Sequence, residues 1–289
     1  MSLSLLSGLA EIAGDYDGFI LDLWGVLHDG TAPLPGVVDA LGRLKQAGKR
    51  LAVLSNAPRR AALVEARMNE IGIARGLYDH VHSSGEEAWQ HLRRRDDPFY
   101  AALGRRCYHI GPARDDNMLE GVALERVADI AAADFILNTG PSDWDETVAQ
   151  YEPLLQAARA RDLPMVCANP DLVVMHQGHR AICAGAVAER YAELGGRVRW
   201  HGKPFRAVYD TCFAALGVAD RRRILAVGDS LRTDIAGANA AGIDALLVTG
   251  GIHAEEFGLS GGQPDLDRLF AAVAASGHRP RAVIAHFRW

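Results

Sequence analysis

Three apolar runs in this chain each end in residues that can do chemistry. Gly18-Phe19-Ile20-Leu21 delivers Asp22 and then breaks at Gly25. Arg50-Leu51-Ala52-Val53-Leu54 ends in Ser55-Asn56, and Ile224-Leu225-Ala226-Val227 ends in Gly228-Asp229-Ser230. An ionised carboxylate on an apolar strand is costly unless something cationic meets it. In open α/β sheets, ligands bind outside the carboxyl ends of the strands. Strands ending in Asp, Ser-Asn and Gly-Asp therefore point to one shared site.

The stretches around these runs read as the elements that would position them. A helix is predicted over Val37 to Gln46, after Pro35-Gly36 and before Gly48. Pro58 opens a second helix that ends at Gly72, and a further strand is expected over His80 to Ser84. The C-terminal third resumes the alternation. Arg197 to His201 reads as a strand, Gly202-Lys203-Pro204 leads into a helix through Leu216, and the Asp229 strand follows. Next come a helix over Thr233 to Ala241, a buried strand from Asp244 and a closing helix over Leu266 to Ala275. Strands alternating with helices imply a parallel sheet.

The middle of the chain holds three more apolar runs, Cys107 to Gly111, Asp134 to Gly140 and Pro164 to Asp171, with a helical stretch over Trp144 to Arg161. It reads as a smaller α/β layer inserted into a parent sheet. The fold class expected is thus α/β, a Rossmann-like parallel-sheet core over 1–84 and 184–289 with an inserted α/β cap over 85–183.

Bulk properties narrow the function. The chain has 289 residues, 49% of them hydrophobic and 23% charged, with a net charge of −5. That balance argues against nucleic acid or an anionic membrane as the main partner. No apolar run approaches the roughly 18 residues of a membrane span. The N-terminus lacks a basic segment, so it reads as a docking segment or helix rather than a signal peptide. Cys107, Cys167, Cys183 and Cys212 form no C-x-x-C pair and read as reduced, buried thiols, consistent with a cytoplasmic protein. The aromatic residues Phe287 and Trp289 are expected to dock on the core; a homodimer interface there is the other reading. Gly202-Lys203 is not a P-loop, because Pro204 stands where Ser or Thr belongs. Gly228-Asp229-Ser230 is not a nucleophile elbow, because Arg232 replaces its second glycine.

The order and spacing of Asp22-Leu23-Trp24-Gly25-Val26, Ser55-Asn56, Lys203-Pro204 and Gly228-Asp229-Ser230-Leu231-Arg232-Thr233-Asp234 resemble the haloacid dehalogenase-like hydrolase superfamily. With Ala168-Asn169-Pro170-Asp171, they are similar to its class with a large α/β cap, which includes p-nitrophenylphosphatase-like and sugar-phosphatase-like enzymes. The resemblance implies a hydrolase of small phosphorylated metabolites that works through an aspartyl-phosphate on Asp22. It implies Mg²⁺ held by the Asp22 carboxylate, the Trp24 carbonyl and Asp229, with Asp234 supporting the ion. Ser55 and the Asn56 N–H would hold phosphoryl oxygens, and Lys203 would neutralise charge. On the cap, Asn138, Asn169, Asp171, His176 and Arg180 are the substrate-binding candidates.

One position departs from the family pattern. Many of its phosphatases carry a second Asp two residues after the nucleophile, as general acid; here that residue is Trp24. The departure leaves three readings: substrates with good leaving groups, a substitute acid or base in His28 or Asp29, or a phospho-ligand-binding protein with little turnover. Dehalogenation is disfavoured, since Asp229 and Asp234 would raise the pKa of a nucleophile that needs no metal.

Overall fold

A computed structural model describes residues 3–176, 179–260 and 263–289. Among them the strands follow in chain order: β1 (Ser4–Leu6), β2 (Gly18–Leu21), β3 (Arg50–Ser55), β4 (His80–Ser83), β5 (Arg106–Ile110), β6 (Glu125–Val127) and β7 (Phe135–Asn138). After these come β8 (Met165–Cys167), β9 (Val173–His176), β10 (His179–Ile182), β11 (Val198–Trp200), β12 (Ile224–Gly228), β13 (Asp244–Val248) and β14 (Ala282–Ile284).

The chain divides into two compact units. The first comprises Met1–Ser55, Val64–His82 and Lys203–Trp289; the second comprises Asn56–Leu63 and Ser83–Gly202. The first unit is built on a sheet of order β1-β14-β13-β12-β2-β3-β4. Its pairings from β1 through to β3 are parallel. Every residue of β2 and β12 is buried. Strands covered on both faces read as continuous apolar runs, which is why these two carry no polar alternation. Ile20, Ile224 and Ala226 pack with Tyr209 and Phe213 of the helix Arg206–Leu216 on one face. Phe287 is buried as well, so it docks within the described chain, and Trp289 is half-buried.

The second unit holds a five-stranded sheet of order β11-β8-β7-β5-β6, all parallel, and an antiparallel hairpin of β9 and β10. Side chains of β7 alternate between two cores, as the period of a strand requires. Ile136 joins the cluster with Leu155, Val187 and Tyr191. Phe135 and Leu137 join the cluster with Trp89, Leu92 and Tyr100.

Three boundaries differ from the sequence expectation. The return to the first unit comes after Gly202 rather than at 184. The reason is that β11 pairs with β8, Val198 opposite Met165, so it completes the second sheet and not the first. The segment 56–63 also groups with the second unit. The stretch expected to be one helix over Thr233–Ala241 is a π-turn over Leu231–Ile235 followed by the helix Ala236–Ala241.

Phe19 lies on the central strand β2 and is fully buried. Phe19→Ala is expected to cost about 3–5 kcal/mol of stability, because the neighbouring sheet cannot collapse into the space left. Urea denaturation of the two proteins measures it directly.

Candidate active site

Asp22 stands one residue beyond β2. Its N–H donates to the Val227 carbonyl at 2.8 Å, which carries the parallel ladder past the strand end. The register Leu21↔Val227 then sets Asp22 level with Gly228, and Asp229 follows one residue later. The chain leaves Asp22 in a tight turn in which the Leu27 N–H donates to the Leu23 carbonyl at 2.9 Å. Gly25 sits in that turn at φ 80°, where L side chains are strained. A Cβ on Gly25 would also fall 2.2 Å from Asp229 Oδ2. The glycine thus serves both the turn and the close approach of the second carboxylate.

Asp229 Oδ2 accepts the Ile252 N–H at 2.7 Å. Asp234 comes from the π-turn, an irregularity found mostly where a helix must aim a functional group. Its Oδ2 accepts the Ser230 N–H at 3.1 Å. Gly228 makes room for it, since a Cβ there would lie 2.1 Å from Asp234 Cγ. Lys203 follows Gly202 and is 3% exposed. Its Nζ donates to Asp22 Oδ1 and, at 2.7 Å, to Asp234 Oδ1.

Asp22, Asp229 and Asp234 each offer an oxygen, and these oxygens lie within 4.8 Å of one another. All three carboxylates are buried. Burial pushes the Asp22 carboxyl up, the Lys203 ammonium pulls it back, and Asp234 pushes it up again. Asp229 is driven well above the carboxylate range, by burial first and then by Asp22 and Asp234. One ammonium does not balance three carboxylates. Hard oxygen donors from three carboxylates fit a hard divalent cation, and the residues present are of that kind.

Ser55 closes β3 and is buried. The register Leu21↔Val53 puts it level with Leu23, at the same end of the sheet. Trp24 is half-buried. Its ring packs edge-on against His28 with centroids 5.4 Å apart. His28 is buried and pushed down to about 4 by that burial, so its imidazole is neutral at pH 7. Its Nδ1 accepts the Gly30 N–H at 2.8 Å, which leaves the proton on Nε2. Asp29 is exposed and is held low by the Thr31 hydroxyl and by the Ala32 and Thr31 N–H groups. A carboxylate already accepting three donors is a turn-former, so the expectation of Asp29 as a proton donor is not carried forward.

The remaining candidates lie in the second unit. Asn56 Nδ2 donates to Asp171 Oδ1 at 2.9 Å, and the Asp171 N–H donates to Asn169 Oδ1 at 2.9 Å. Asn138 is wholly buried, with Nδ2 donating to the Ala184 carbonyl at 2.9 Å. It ties the end of β7 to a helix start, and the expectation that it meets substrate gives way to that structural role. Arg180 is exposed on β10. His176 ends β9, and its side chain lies outside the described residues. Sequence reading missed the Ile252 N–H that orients Asp229, because a backbone donor leaves no mark of residue type.

Comparison with known proteins gives the following. A family profile described as haloacid dehalogenase-like hydrolase matches residues 19–125, and a second HAD-hydrolase-like profile matches residues 200–287. A glycerol-3-phosphate phosphatase of Gallus gallus is 29% identical over 85% of this chain and 83% of its own. The crystal structure of a haloacid dehalogenase-like hydrolase from Brucella suis superposes with a TM-score of 0.83 at 32% identity, over 98% of this chain and 99% of that one. A glycerol phosphate phosphatase of Mycobacterium tuberculosis, solved in complex with magnesium, superposes with a TM-score of 0.62 at 28% identity, over 83% of this chain and 70% of its own.

Because the folded-state pKa of Asp229 is raised, the stability it permits is complete at low pH and is lost as pH rises. Asp229→Asn is therefore expected to melt at a higher temperature than the wild type in EDTA at pH 8, with the gap closing toward pH 4. Added Mg²⁺ should stabilise the wild type more than the variant. Calorimetric melting across pH reads both effects.

Proposed function

This chain belongs to the haloacid dehalogenase-like hydrolases, in the class with a large α/β cap, and from that premise we propose that it is a Mg²⁺-dependent phosphatase of small phosphate monoesters. The observation that carries the proposal is the Lys203 ammonium bridging Asp22 and Asp234 beside Asp229, at the carboxyl ends of β2 and β12. The phosphatases among its relatives support the substrate class.

In the proposed reaction an Asp22 carboxylate oxygen attacks phosphorus, the ester oxygen leaves, and an aspartyl-phosphate remains. Water then attacks phosphorus, releasing phosphate and restoring the carboxylate. Lys203 holds Asp22 in place and offsets the negative charge of the phosphoryl group. The Ser55 hydroxyl and the Asn56 N–H are the proposed donors to the phosphoryl oxygens. A divalent ion held by Asp22, the Trp24 carbonyl and Asp229, with Asp234 in support, would supply the charge that lets a carboxylate approach a phosphate dianion. Arg180, exposed on the hairpin of the second unit, is the proposed grip for a second anionic group, and Asn169 and Asp171 are further proposed substrate contacts.

Proton supply sets the substrate preference. Trp24 offers no acid at the family's acid position, and neutral His28 has its Nδ1 already engaged. These facts favour leaving groups that depart as stable anions. A positioned acid is worth about 10² to 10⁴ in rate. The enzyme is accordingly expected to favour p-nitrophenyl phosphate over an alkyl phosphate such as glycerol phosphate, by about that factor in kcat/KM. Trp24→Asp should narrow the gap by raising the alkyl ester alone. Phosphate release across a metabolite panel tests both points.

The same assay tests the nucleophile. Asp22→Asn and EDTA should each abolish phosphate release. Tight binding of a phosphate ester with no release by either form would instead favour a ligand-binding protein. Halide release in EDTA would favour a dehalogenase.

A further inference from the structure

The second unit holds a cluster whose composition differs from that of the acidic cradle. Glu87 and His91 lie four residues apart on the helix Ser84–Arg94, so they share one face. His201 follows β11. Each of the three offers a ligand atom, and these atoms lie within 4.8 Å of one another. We propose that Glu87, His91 and His201 form a binding site for a borderline divalent transition ion, with Zn²⁺ as the type case.

The donor set selects the ion. Two imidazoles and one carboxylate suit Zn²⁺, and they suit Mg²⁺ poorly, since Mg²⁺ demands oxygen. Glu87 and His201 are buried, which keeps bulk water from two of the three ligands, and His91 is half-buried. Glu87 Oε2 and His201 Nδ1 are 2.9 Å apart. Two donors around one tetrahedral ion with bonds of about 2.0–2.1 Å stand about 3.3–3.4 Å apart, so the pair has to part by about 0.4–0.5 Å to admit the ion.

The surroundings match what metal ligands need. A ligating imidazole uses its second nitrogen to meet an outer partner, and a ligating carboxylate is itself hydrogen-bonded. The Tyr100 hydroxyl meets His201 Nε2, and the Gly202 N–H donates to Glu87 Oε2 at 3.0 Å. Binding at Nδ1 requires the His201 proton to move to Nε2, where the Tyr100 oxygen accepts it; no net proton is released. His91 supplies the observation that a closed hydrogen-bond network does not explain. Its Nδ1 is buried and has no hydrogen-bond partner. Its ring stacks on Tyr100, with centroids 5.1 Å apart, and lies 5.4 Å from His201. A buried polar atom without a partner calls for a specific cause, and an ion is one.

The test is independent of the phosphatase reading. Untagged, chelator-stripped protein is titrated with Zn²⁺ by calorimetry against a competing chelator, in saturating Mg²⁺ to occupy the acidic cradle. One equivalent of Zn²⁺ is expected to bind, and His91→Gln, shown folded by circular dichroism, should lose it. Tyr100→Phe should weaken binding about 10–100-fold, the usual effect of removing an outer partner. Co²⁺ in place of Zn²⁺ should give the visible absorption of a tetrahedral site in the wild type and not in His91→Gln. No Zn²⁺ binding in saturating Mg²⁺, or binding and spectrum unchanged in folded His91→Gln, would overturn the proposal and leave the cluster as a hydrogen-bond network.

Discussion

Everything at the site depends on one buried ammonium. Lys203 Nζ touches Asp22 and Asp234, and Asp229 shares their space. Like charges this close and this dry resist ionising together: Asp234 raises Asp22, and Asp22 and Asp234 both raise Asp229. The ammonium relieves part of that repulsion. The cradle is therefore a store of unfavourable electrostatics that a divalent cation would discharge. Replacing one of its members is thus expected to alter stability as well as activity.

The sheet makes the arrangement possible. Parallel pairing of β2 with β12 brings two strand ends to one level although their residues lie far apart in the chain. The π-turn after β12 then returns Asp234 to the same place. Glycine supplies the clearance, at Gly25 for the turn against Asp229 and at Gly228 for Asp234. The close approaches explain why small residues interrupt apolar runs that would otherwise read as uniform strands. The leaving-group side is less furnished. Trp24 packs against His28, and neither presents a protonated acid to a leaving group.

What could be read in the sequence was what burial and periodicity encode. Asp22, Ser55 and Asp229 stand out because a polar residue ending an apolar run is conspicuous. Lys203 and Asp234 do not; each is ordinary alone, and their roles came from resemblance. Asn138 looked like a strand-end polar residue free to meet a ligand. Its full burial against the Ala184 carbonyl depends on a helix more than forty positions later, which no local pattern reveals. The second boundary was misplaced for a similar reason. A strand's own residues do not say which sheet it joins, and β11 joins β8. Glu87 and His91 show helical spacing, but their convergence with His201 is visible only in three dimensions.

The pairing of β2 with β12 also bears on how the chain is made. The apolar strand that carries Asp22 emerges early, and its inner neighbour is synthesised only in the C-terminal third. Between them, the uninterrupted stretch Ser83–Gly202 of the second unit is translated whole. Long-range parallel pairing is slow, and an apolar strand without its neighbour is exposed to wrong partners while it waits. The acidic cradle therefore cannot assemble until β12 has been synthesised, and β2 waits without that neighbour until then.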